Sequence, residues 1–261
     1  MKVQIPENST DDEFLKLAVE ISNRYLQNEV VQSGIKKKFS INEKTFENIK
    51  KINLVYSEQL KLNSKEPDNL GWTDRILDTN TIHVNNIFRK RFDHINTKSY
   101  KDTTRHKKER EIKIIVVYIS ILLLHELGHL LVRWSGKIDS PEAIGEAGTC
   151  IELIIFNGNV RLLLDSKSKW DENKQHIGIG IERENEFRIL SYQDYIQKVY
   201  DGSMSINLYN EAIFVKRKMD SHSIAKKVSD EDQEHHELKN AVPIESCGVR
   251  RCAFIKISQI E

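Results

Sequence analysis

The chain has 261 residues, 40 Lys+Arg against 39 Asp+Glu, and a hydrophobic fraction of 39%. That size and balance fit a globular protein with one large domain or two small ones, and exclude a disordered chain. A near-zero net charge excludes a general electrostatic trap for nucleic acid or anionic membrane. The three cysteines, Cys150, Cys247 and Cys252, are too few and odd in number for a secreted disulfide framework. The opening MKVQIPENSTDDEF holds no apolar core for a signal peptide. The expectation is an intracellular protein, cytoplasmic or nuclear, with reduced thiols.

Residues 1–10 read as a loose tail. Helical spacing of Phe14, Leu15, Ala18, Val19, Ile21, Tyr25 and Leu26 predicts a helix from Asp11 to Ser33. A second helical stretch is expected from about Asn42 to Leu62, then a polar turn region over NSKEPDNLGW, residues 63–72. A short strand is expected at Thr81–Asn85, followed by mixed structure. Residues 97–111 are strongly charged without apolar periodicity, so they read as a solvated loop and the first turn of the next helix. A nucleic-acid contact through Arg105–Arg110 is the minority reading, and nucleic acid is not an expected partner.

Next comes a long apolar helix, 111–134, closed by Ser135-Gly136. Its stretch Ile112–Val132 is long enough to cross a bilayer. Lys113, His125, Glu126 and His129 would be costly there, so it is read as the central helix of a core, with no membrane partner. Asp139-Ser140-Pro141 then caps and restarts the chain into a second helix, 141–157. Strands are expected at 160–164 and 176–182, extended by Phe187–Leu190, with a helix over Ser191–Tyr200. Residues 216–240 are almost wholly polar, and 241–261 form a C-terminal tail with an apolar stretch, CAFIKI. The fold class expected is α+β, mostly helical with a small sheet, in one domain over 1–215.

The chemistry lies in HELGH, residues 125–129. His125 and His129 are four residues apart, so they share one helix face. Two imidazoles placed that way can bind one Zn²⁺. Glu126 is turned about 100° around the axis from His125, where it reaches a water on the metal and serves as general base. On a strongly apolar helix, three titratable groups in one turn need a common partner, because each costs several kcal/mol if unpaired. Gly128 costs about 1 kcal/mol in a helix interior and makes sense if another backbone comes close.

Zinc sites that catalyse commonly use three protein ligands. The second helix offers Glu142, Glu146 and Glu152. Glu142 lies in the first turn and suits the helix dipole. Glu146, amid Gly145, Ala147 and Gly148, is favoured by helical phase. Glu152 is the alternative ligand, or a partner that orients a histidine.

HELGH followed by a short turn and an E-A helix resembles the glutamate zincins. The stretch HELGHLLVRWSGKIDSPEAIGEAGTCIELII is especially similar to the ImmA/IrrE-type peptidase pattern. It is also similar to uncharacterised fungal proteins bearing HELGHL and GEAG-x-x-x-E. The resemblance covers roughly residues 112–157. It implies a zincin-like core in which Glu146 is the third ligand. It further implies an edge strand, here near Ile82–Val84, to which a peptide or protein substrate adds.

The expected activity is therefore zinc-dependent hydrolysis of a peptide bond, with Zn²⁺ on His125, His129 and Glu146 and with Glu126 as base. The competing reading is a non-catalytic zinc protein whose metal holds the fold or a regulatory interface. Tyr192, Tyr195, Arg133 and His176 are weighed for oxyanion stabilisation, and none is assigned. Cys247 and Cys252, even with His235 and His236 nearby in sequence, do not have a standard zinc spacing and are read as ordinary thiols.

Overall fold

The structure, a computed structural model, describes residues 3–58, 69–74, 80–97, 102–136, 145–165, 176–183, 186–203, 213–215 and 241–245. Its elements mix helices with two small sheets, an α+β arrangement.

The N-terminal segment contributes a 3-10 turn, Glu7–Ser9, and helices α1 (Glu13–Gln27), α2 (Glu29–Phe39) and α3 (Glu43–Ile49). Asp12 starts α1, its side chain accepting from Phe14 N and Leu15 N. The single helix expected to Ser33 is two. Asn28 stands between them with extended backbone, and its side chain caps α2 by accepting from Val30 N and Val31 N. The helix expected over 42–62 ends at Ile49, and strand β1 follows (Asn53–Ser57). Exposed Asn53 and Val55 alternate with buried Leu54, the period of a strand. Strand β2 (Gly71–Thr73), too short to show alternation, lies where a turn was expected.

Strand β3 falls at Thr81–Asn85, as the sequence predicts. The three strands form a sheet of order β1-β3-β2, with β1 parallel and β2 antiparallel to β3. This corrects the expectation that Ile82–Val84 is the edge. Ile82 and Val84 are fully buried in the central strand, and β2 is an edge. The mixed structure expected afterwards is a regular helix, α4 (Ile87–Thr97), which buries Phe88, Arg91, Phe92 and Ile95 at helical spacing.

Helix α5 runs Asp102–Trp134, 33 residues, so most of the charged run expected as a loop is helical. Arg105, His106, Lys107 and Glu109 there are exposed, and Arg105 pairs with Glu109 one turn on. The apolar part passes through the middle of the molecule, touching α1, α3, α4, α6, β2, β3 and β5. It is long and apolar enough to span a membrane, yet 94% of that apolar window is buried inside the protein. Where α4 crosses it, Arg91 and Glu111, both buried, make a two-pronged ion pair at 2.8 Å on each arm.

Helix α6 is Ala147–Phe156, shorter than the 141–157 expected; its proposed start at 139–141, and Glu142, lie outside the described residues. Strands β4 (Asn159–Asp165), β5 (His176–Arg183) and β6 (Glu186–Ile189) follow. With β7 (Ala241–Glu245) they form an antiparallel sheet of order β6-β5-β4-β7. Part of the expected C-terminal tail thus joins the second sheet, while the polar segment 216–240 lies outside the described residues. The helix expected at 191–200 is a π-helical turn, Tyr192–Ile196, running into α7 (Gln197–Tyr200).

Candidate metal centre

His125, Glu126 and His129 occupy one turn in the buried middle of α5, their ligand atoms all within 4.8 Å of one another. His125 and Glu126 are almost wholly enclosed, at 2% and 1% exposure. The His129 side chain is 20% and that of Glu146 26% exposed, so the cluster opens on that side.

Glu146 reaches the cluster from the start of α6. It is not inside that helix, as helical phase suggested; it is the N-cap. Gly145, with φ +72, turns the chain into it. The carboxylate accepts from Gly148 N at 3.1 Å and Thr149 N at 2.5 Å, satisfying donors that a helix start leaves open. The same oxygen that bonds Gly148 N, Oε1, lies 2.7 Å from His129 Nε2 and 3.8 Å from His125 Nε2. Burial works to raise this carboxyl. The His129 hydrogen bond, the two imidazoles and Thr149 N–H outweigh it and hold the group well below the usual carboxylate range.

Glu152, from the second turn of α6, is placed differently. Its Oε1 accepts from His125 Nδ1 at 2.6 Å and its Oε2 from Val160 N at 2.6 Å. A carboxylate on Nδ1 fixes the ring so that Nε2 presents its lone pair toward the cluster. Glu146 and Glu152, the two candidate ligands, therefore both meet the histidine pair, one at Nε2 and one behind the His125 ring at Nδ1.

Close backbone approach makes this possible. A Cβ on Gly128 would lie 2.6 Å from Ala147 O, and one on Gly148 would lie 2.2 Å from the His125 ring. Both glycines are needed where α5 and α6 cross.

The residues fit a zinc ion. Two imidazole nitrogens and a carboxylate are a common zinc donor set, and tetrahedral ligation at about 2.0–2.1 Å separates donors by roughly 3.3 Å. The two Glu146 contacts straddle that separation. Glu126 Oε1 is buried without a hydrogen-bond partner among the described residues, which a water in the cluster would supply. Burial pushes the Glu126 carboxyl up, with His129 and His125 opposing and Glu146 adding to the rise. A group so placed favours holding a proton.

Of the residues weighed for oxyanion stabilisation, Tyr195 is fully buried and its hydroxyl bonds Tyr25 OH at 2.6 Å. Tyr192 lies under the Arg110 guanidinium; Arg110 is fifteen residues up α5 from His125, roughly 22 Å by helix rise. The His176 side chain is outside the described residues. Arg133 is bound to the first sheet: its Nη2 donates to Thr73 O at 3.0 Å, and its guanidinium also bonds Thr73 Oγ1 and Asp74 O. No sequence pattern points to this partner, because the three residues of β2 carry no readable period. Cys150 is buried on α6; Cys247, Cys252, His235 and His236 lie outside the described residues.

No family model matches the chain, and no curated protein or solved structure shows significant similarity to it.

Proposed function

We propose that the protein is a zinc-dependent peptidase with a zincin-like core built from α5, α6 and the sheet β1-β3-β2. The observation that carries this reading is a buried glutamate, Glu126, with an oxygen unbonded among the described residues, beside two imidazoles and a second carboxylate. A structural zinc site has no use for such a base and usually closes its fourth position.

His125 Nε2, His129 Nε2 and the Glu146 carboxylate would hold the ion. Zinc, when bound, supplies Lewis acidity and lowers the pKa of water it polarises. Glu126 Oε1 would take a proton from a water in the cluster and pass it to the leaving amine as the peptide C–N bond breaks. Glu152 keeps the His125 ring in its ligating tautomer. Surrounding apolar side chains of α5 keep bulk water from Glu126.

The substrate is read as an extended peptide. Strand β2 packs on α5 and, among the described residues, pairs with β3 alone. Among the described residues no strand lies on its other edge, which is read as the place where a peptide adds, apart from the Thr73 carbonyl that Arg133 holds.

Glu126→Gln tests the reading. With zinc loaded, the variant should retain metal and lose hydrolysis of fluorescein-labelled casein by 10²-fold or more, the order of a general base's contribution. Equal turnover by wild type and variant would refute the role of Glu126. Stoichiometric zinc with no hydrolysis by either would favour the non-catalytic zinc protein.

A further inference from the structure

We infer that Arg133 is a positioning residue that fixes strand β2 beside the metal cluster, an inference that rests on the peptidase reading for its functional meaning. Arg133 lies seven residues beyond Glu126, two turns, and so on nearly the same face of α5. From there its guanidinium takes the carbonyls of Thr73 and Asp74 and the hydroxyl of Thr73. At the other end of the strand, Gly71 lies against Leu122, which would meet an added Cβ at 3.0 Å. Leu122 precedes His125 by about one turn and Arg133 follows His129 by one, so β2 runs alongside the HELGH turn between two anchors on the helix that carries it.

The strand needs an anchor. It has three residues and, among the described residues, pairs with β3 alone through three residue pairs, and so short a pairing is weak by itself. On the sheet's other face Trp72 stacks on His83 at 5.3 Å with the rings 6° apart, and Asp74 Oδ2 lies 3.2 Å from His83 Nε2. Neither contact reaches α5. Arg133, with Trp134 donating to Asn80 Oδ1 at 3.0 Å, adds polar links to the apolar contact between sheet and metal helix. A planar fork serves three acceptors at once, which a lysine ammonium cannot match in the same geometry.

The test uses Arg133→Met, which keeps an unbranched stem, and Arg133→Lys. Three quantities are read on zinc-loaded full-length protein: zinc per chain, amide exchange over Gly71–Thr73, and hydrolysis of fluorescein-casein against a blocked dipeptide anilide too short to pair with a strand. Zinc should stay at the wild-type level in both variants. Exchange in β2 should quicken about tenfold in Arg133→Met while that of His125–His129 does not change. Casein kcat/KM should fall about tenfold or more, as expected for misplaced substrate, with the anilide rate within about twofold of wild type; Arg133→Lys should restore part of both. Unchanged β2 exchange, or casein and anilide rates falling together, would overturn the inference. Absence of all hydrolysis by the wild-type protein would instead remove the peptidase reading, and the exchange data would still decide whether Arg133 holds β2.

Discussion

Burial of Glu126 makes its ionised carboxylate costly to the folded protein. Its pKa in the folded protein lies above the ordinary carboxylate value, chiefly through burial. A raised carboxyl favours the folded state while protonated, and that contribution is lost as pH rises through the folded pKa. Zinc-free Glu126→Gln, which has no charge to bury, should melt higher than zinc-free wild type at neutral pH; calorimetry of the two checks this, and a lower melting temperature for the variant would contradict it. Glu152 acts on the same turn through His125 Nδ1. Glu152→Ala should weaken zinc binding about 10–100-fold, the usual range for such partners, as measured by competition with a chromophoric chelator. Unaltered affinity would mean that the His125 ring is oriented without it.

At the scale of elements, the crossing of α5 and α6 has the least tolerance. Gly128→Ala would drive a methyl to 2.6 Å from Ala147 O, a backbone atom that moves only with α6. Overpacking of this kind costs about 1–3 kcal/mol, and it should shift Glu146 away from His129, so both chemical stability and zinc content should fall together. The α4–α5 crossing depends on Arg91 and Glu111. Removing either partner should destabilise by about 3–5 kcal/mol because the other is left charged and buried, whereas Arg91→Met with Glu111→Leu should be close to neutral. Urea denaturation of the three variants distinguishes these outcomes.

Elements with strong local signals were readable beforehand. The apolar middle of α5 with its HELGH turn, β3 at Thr81–Asn85 and strands β4, β5 and β6 of the second sheet were legible, whereas β7 fell in a stretch read as tail. The break at Asn28 was not readable, because an Asn can sit inside a helix or cap the next one, and packing decides. Nor was β2, whose three residues carry no period and are placed by pairing with β3 and by Arg133. Charged residues 102–110 gave no apolar stripe, yet they continue the helix that follows. Within the site, the histidines and Glu126 were legible from spacing alone. Glu146 was singled out by a phase argument that assumed an earlier helix start, while its actual position is that of a capping side chain.

For the whole molecule, one long helix touches both sheets and most of the other helices, so a ligand held on that helix is coupled to the fold. Zinc that binds the folded chain and not the unfolded one stabilises it by about 4 kcal/mol at a thousandfold excess over Kd. The most direct test of the central claim is zinc per chain, by elemental analysis of purified protein refilled under mild conditions, with His125→Ala as the control. The account predicts about one zinc per wild-type chain and its loss in the variant. No zinc in the wild type, or the same zinc in His125→Ala, would contradict it.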